Sequence, residues 1–175
     1  MSVSVQNRQR LYGVSTSRLA AVGRSALASL GRSGRDLHVA VVDDREMRRL
    51  HGRYLGDRSA TDVLAFNLEC PTPSPLLGEV VISAETAARQ AARLGVAAAL
   101  EMDLLLVHGV LHLSGYDDHD PREARRMHER ARVILSRVRR RPPPERLWTD
   151  LIDHESGHAA TVQRRKVKIG VHHRR

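Results

Sequence analysis

Residues 104–119 read LLLVHGVLHLSGYDDH, and they close a strongly apolar helix expected over residues 97–113. His108 and His112 stand four residues apart on it. Positions i and i+4 share one face of a helix, so both imidazoles can point at a single metal ion. Gly115 then permits a turn that folds a third ligand back from the cluster Asp117, Asp118, His119. Imidazole is the commonest protein ligand for metals such as zinc, and three protein ligands leave the fourth position to water. The third ligand is either Asp118, six residues after His112, or His119, one further on, since carboxylate oxygen and imidazole nitrogen both suit zinc. Asp117 reads as the group that orients a histidine by accepting its other ring N–H. The expected cofactor is one Zn2+ ion per chain.

Upstream, residues 3–5 form a short strand, and residues 17–30 place Leu19, Val22, Ala26 and Leu30 near helical spacing before Gly31 and Gly34. Strands follow at 37–42, 63–68 and 79–82. Between the first two, Asp43 or Asp44 caps a helix with Met47, Leu50 and Tyr54 on one face. Pro71, Pro73 and Pro75 make a loop. Ser83 caps a helix that Gly95 terminates, and Asp120, Pro121 and Glu123 open the last one, with Met127, Ala131, Ile134, Leu135 and Val138 on its inner face. This order indicates an α+β domain, a small mixed β-sheet with helices packed on it. The domain is expected over residues 1–138. Beyond it, residues 139–175 form a basic, Pro- and Arg-rich tail read as flexible, with Leu147, Trp148, Leu151 and Ile152 making one short amphipathic turn.

A chain of 175 residues suits one domain plus a tail. The net charge of +9 points to a polyanionic partner, but its distribution is uneven. Residues 139–175 hold ten Lys and Arg against four Asp and Glu, so the body carries only +3. The single cysteine, Cys70, excludes an internal disulfide framework and Cys-rich zinc sites. No apolar run reaches the roughly 18–20 residues of a spanning helix, and residues 1–10 lack the apolar core of a secretory signal. A cytoplasmic protein without membrane contact is expected.

A rival motif lies in the tail, where His154, Glu155, Ser156, Gly157 and His158 spell the HExxH signature of zinc peptidases. Gly157 weakens the helix that would have to hold both ligands, and His172 and His173 at the extreme end are the only downstream histidines. The first constellation has Gly109 where that signature has its glutamate base, so its chemistry differs.

Residues 108–118 resemble the HGxLHLxGYDH motif of the YbeY-type endoribonucleases. Residues 54–66, YLGDRSATDVLAF, are similar to the family's YRGKDxPTDVLSF stretch, and residues 77–83 to its LGDIVI strand. The matches cover most of residues 37–138. What the resemblance implies is an α+β metalloprotein that cuts single-stranded RNA in maturation of ribosomal RNA, especially at the small-subunit 3′ end, and in ribosome quality control. Its partners would be ribosomal RNA and the small ribosomal subunit or its proteins. The family's metal ligands carry over as His108, His112 and, in strict register, Asp118 in place of a histidine, with His119 adjacent. The family arginine after the tyrosine is Leu55 here. A guanidinium is the natural clamp for phosphate, so Arg53 and Arg58 are the candidates to replace it, and His108, Arg53 and Arg58 make up the expected catalytic set. With one Phe, one Trp and three Tyr, base stacking is limited and sequence preference should be low. A second reading is a ribosome-associated RNA-binding factor whose metal is structural; the peptidase is a third.

Overall fold

The computed structural model describes residues 2–57, 59–69, 75–148 and the backbone of 162–166. The elements run β1 (Val3–Asn7), α1 (Thr16–Ser29), β2 (Asp36–Val42), α2 (Asp44–Leu55), β3 (Val63–Glu69), β4 (Leu76–Ser83), α3 (Ala84–Leu94), α4 (Ala98–Leu113), α5 (Pro121–Arg139), a 3-10 turn (Glu145–Trp148) and β5 (Val162–Lys166). The helix starts follow the capping chemistry of the sequence. Ser15, Asp43, Ser83 and Asp120 each accept a hydrogen bond from a first-turn N–H, and Pro121 needs no such bond.

The sheet has the order β1-β2-β4-β3-β5. β1 runs parallel to β2 and β2 to β4, β3 is antiparallel to β4, and β5 lies parallel to β3. The sheet is therefore mixed, as expected, and β5 is a strand that the basic tail gave no sign of. Side-chain alternation divides it into two faces. Leu37, Val39, Val41, Val63, Ala65, Val80 and Ile82 join the main core with α1, α4 and α5. Ala40, Val42, Leu64, Phe66 and Val81 face the other way, onto Met47 and Leu50 of α2.

Helix α4 is the axis of the main core. Every residue from Leu100 to Leu113 is buried, because a helix apolar all round has to be covered on all sides. It touches α1, α3, α5, β3 and β4. Gly109 lets it lie close to the sheet: a Cβ there would stand 2.7 Å from Cγ1 of Val80. Asp103, with no side-chain exposure, is matched by a two-pronged contact from Arg18, as a buried carboxylate requires. Core packing extends past residue 138, for Leu147 and Trp148 are buried in the same cluster. Arg132 covers the Trp148 ring at 4.9 Å and forks onto Glu145. No single helix among the described residues is long and apolar enough to cross a membrane.

Candidate metal centre

The last turn and a half of α4 and the turn after it bring three side chains to one point. Nε2 of His108 and Nε2 of His112 are 3.1 Å apart, and Oδ2 of Asp118 lies 3.3 Å from the first and 3.4 Å from the second. Zinc holds nitrogen and oxygen ligands at about 2.0–2.1 Å, so corners of its tetrahedron are separated by about 3.3–3.4 Å. The triangle matches one face of that tetrahedron, and a single ion fits it.

The backbone makes this triangle in two steps. Gly115, at φ +96, takes the left-handed conformation that ends the helix. The N–H of Tyr116 then donates to the Leu111 carbonyl at 3.1 Å. Asp117 secures the next turn by accepting from the N–H groups of Asp118 and His119, which returns the Asp118 carboxylate to the helix face.

Proton positions fit a metal as well. Nδ1 of His112 lies 3.1 Å from the Tyr116 carbonyl. A carbonyl only accepts, so this nitrogen carries the proton and Nε2 presents its lone pair to the centre of the triangle. Oδ1 of Asp118 is buried without a hydrogen-bond partner among the described residues, and a buried carboxylate calls for a counter-charge. Burial holds the His108 imidazole below its ordinary pKa, against the pull of Asp118, which keeps it in the neutral form that binds metal. Burial alone would raise the Asp118 carboxyl, but the His108 and His112 imidazoles facing it outweigh burial and keep it far below its usual range. The His108, His112, Asp118 cluster is thus capable of coordinating a metal ion and supports a single zinc site.

The remaining expected residues fall elsewhere. His119 is 72% exposed and directs Nδ1 at Asp117, 2.5 Å away, so Asp118 completes the triangle, while His119 lies with Asp117 and Asp118 in a second, more exposed group of possible ligand atoms. Asp117 does orient a histidine, but that histidine is His119, whose pKa it raises; the ligand His112 is aimed by a main-chain carbonyl. Arg53 belongs to α2, on the sheet face opposite α4, with its guanidinium 6.0 Å from the Tyr54 ring centroid. Arg58 and the HExxH residues 154–158 lie outside the described residues. One group escaped the sequence reading. Asp62 exerts an electrostatic pull on His108 and accepts a 2.9 Å hydrogen bond from Gln90. Its signal was present, because it sits within the TDVL stretch. Gly109 faces Val80 between the two histidines, which leaves no room for the glutamate that a peptidase would need there.

A family model described as Endoribonuclease YbeY matches residues 4–139. Endoribonuclease YbeY of Geobacter metallireducens is 38% identical over 146 residues, covering 80% of this chain and 97% of that protein. The protein of the same name from an Anaeromyxobacter species is 48% identical over 93 residues, 53% of this chain and 48% of its own length. The chain therefore spans about half of the second relative and nearly all of the first. A solution structure from Thermotoga maritima shares the fold, with a TM-score of 0.56 at 18% identity over 87% of this chain and 93% of that one.

Proposed function

The chain belongs to the YbeY endoribonuclease family, and from that premise we propose that it hydrolyses phosphodiester bonds of single-stranded ribosomal RNA during maturation of the small-subunit 3′ end and in ribosome quality control. Family membership and the His/His/Asp cluster are consistent with a zinc-dependent ribonuclease. The observation that carries the reading is the triangle of ligand atoms spaced 3.1–3.4 Å apart. Cytoplasmic location and contact with the small ribosomal subunit are parts of the same proposal.

When bound, zinc supplies Lewis acidity, which brings the pKa of a coordinated water to about 7 and offsets charge on phosphate. The chain's own residues do the rest. His112, fixed by the Tyr116 carbonyl, and Asp118, fixed by the Asp117 turn, hold the geometry rigidly, which is what preorganised electrostatic catalysis requires. Burial lowers the His108 pKa and favours the neutral imidazole, the form that offers a lone pair to a metal. We assign the phosphate clamp to Arg58 over Arg53. Arg58 is four residues in sequence from Asp62, which acts on His108, whereas α2 holds Arg53 behind the sheet.

The test compares cleavage of single-stranded ribosomal RNA by wild type, His108→Ala and Arg58→Ala. Loss of cleavage in His108→Ala, with Arg58→Ala reduced and Arg53→Ala near wild type, is expected. Equal cleavage by wild type and His108→Ala would remove the metal from the mechanism. Leu55 in the position of the family arginine favours one other reading, an RNA-binding factor with a structural metal. That reading predicts bound zinc and RNA affinity without turnover.

A further inference from the structure

At the far end of α4 from the metal cluster, a cavity of about 820 Å³ opens between the start of α4, α1 and the end of α5. The guanidinium-bearing residues Arg18, Arg139, Arg141 and Arg146 line it, and no acidic residue does so among those described. One carboxylate, Asp103, lies behind Arg18 and is fully buried beneath it, so Arg18 is neutralised and the positive charge offered to a ligand is that of Arg139 and Arg141. Burial, together with the neighbouring Arg141 and Arg18, depresses the Arg139 pKa, the mark of a cation crowded by its own kind. Nη1 of Arg139 is buried with no hydrogen-bond partner among the described residues. Helix α4 also begins here, with Ala97 providing no side-chain cap.

Guanidinium groups fork onto phosphate oxygens with two parallel bonds. The same groups also read a guanine edge or stack on a base, but a site that discriminates among all the bases adds aromatic platforms or amide and carboxylate groups. None of these lines the cavity; its remaining wall is aliphatic, as at Val22 and Val96. We propose that this arginine cavity is a second RNA-contact site that grips backbone phosphates of the substrate away from the scissile bond, without regard to sequence. It rests on the ribonuclease reading and adds to it the means by which a long strand is retained. Leu100 at the cavity and His112 at the metal cluster are separated by about 18 Å along the helix at 1.5 Å per residue. The nucleotides held at the two places are therefore different ones.

The test measures affinity of the full chain for a long 2′-O-methyl single-stranded RNA, which resists cleavage, across a series of salt concentrations. Wild type, Arg139→Gln/Arg141→Gln and Arg139→Lys/Arg141→Lys are compared, with thermal melting and zinc content recorded for each. For single strands the salt slope falls by about 0.7 per phosphate contact. The glutamine pair is expected to bind several-fold more weakly at low salt with a slope shallower by about 1.4, and the lysine pair to retain most of the slope. Should the glutamine pair fail to fold, Arg141→Gln alone, at an exposed position, is expected to lower the slope by about 0.7. An unchanged slope and affinity overturns the proposal, as does weaker binding of an acidic peptide with RNA binding intact. The binding readout does not depend on cleavage, so a protein that fails the separate cleavage test yet shows the slope change contradicts the ribonuclease reading and leaves this site standing.

Discussion

At the scale of single residues, the metal centre separates two neighbours that look equivalent in the sequence. Asp118 and His119 both follow Gly115 at a distance that reaches back to the helix. The Asp117 turn decides between them, because accepting two successive N–H groups directs Asp118 inward and leaves His119 outside. No residue count could have shown this; it depends on the φ of Gly115 and on where Asp117 points. The pair of histidines, by contrast, was legible because helical periodicity alone puts them on one face. Asp118→Ala should lower zinc affinity by more than the roughly 10–100-fold that loss of an outer hydrogen-bond partner brings, and His119→Ala should change it only slightly. Competition with a chromophoric chelator measures both, and the opposite ranking would exchange the two ligands.

At the scale of elements, two contacts set where α4 and the strand ends lie. Gly109→Ala gains about 0.8–1.0 kcal/mol of helix propensity but places a methyl group 2.7 Å from a stiff, β-branched Val80. Overpacking of this kind costs about 1–3 kcal/mol, so the variant should be less stable by up to about 2 kcal/mol in urea unfolding, and Val80→Ala should relieve the strain. A stabilised Gly109→Ala would mean that α4 sits farther from β4. The second contact joins the starts of α2 and α3. Asp44 accepts from Ser83 and Thr86 and pairs with Arg89, while Glu85 accepts from the Asp44 N–H. Burial raises the Asp44 carboxyl, but these hydrogen bonds and Arg89 outweigh it and lower its pKa. Its contribution to stability is therefore complete above the unfolded value near 3.8 and declines as pH falls through the lower folded value. Melting temperatures of wild type and Asp44→Asn should differ by a constant amount at neutral pH and converge in acid; a gap that widens below the unfolded value would reverse the sign. Capping residues made these helix starts readable, yet the cross-tie between them was not, since its partners are 39–42 positions apart.

At the scale of the whole molecule, the four apolar strands and five helices could be read because their burial leaves a period-two or helical pattern. β5 could not, for its QRRK sequence has no apolar alternation and it is held by backbone pairing with β3. Residues 147 and 148 were legible as apolar but not as core, since the Arg- and Pro-rich stretch ahead of them has the composition of a linker. Leu147 is fully buried, so Leu147→Ala should cost about 2–5 kcal/mol, and an effect near zero would show the packed body ending earlier. His154→Ala/His158→Ala should leave RNA cleavage at the wild-type rate, because the proposed chemistry lies at the end of α4. The most direct test of the account is to titrate zinc into metal-free protein while following cleavage of single-stranded ribosomal RNA, with His112→Ala alongside. The rate should climb and level off at about one zinc per chain for wild type and stay at background for the variant. Cleavage that ignores added zinc, or that is equally restored in His112→Ala, would contradict it.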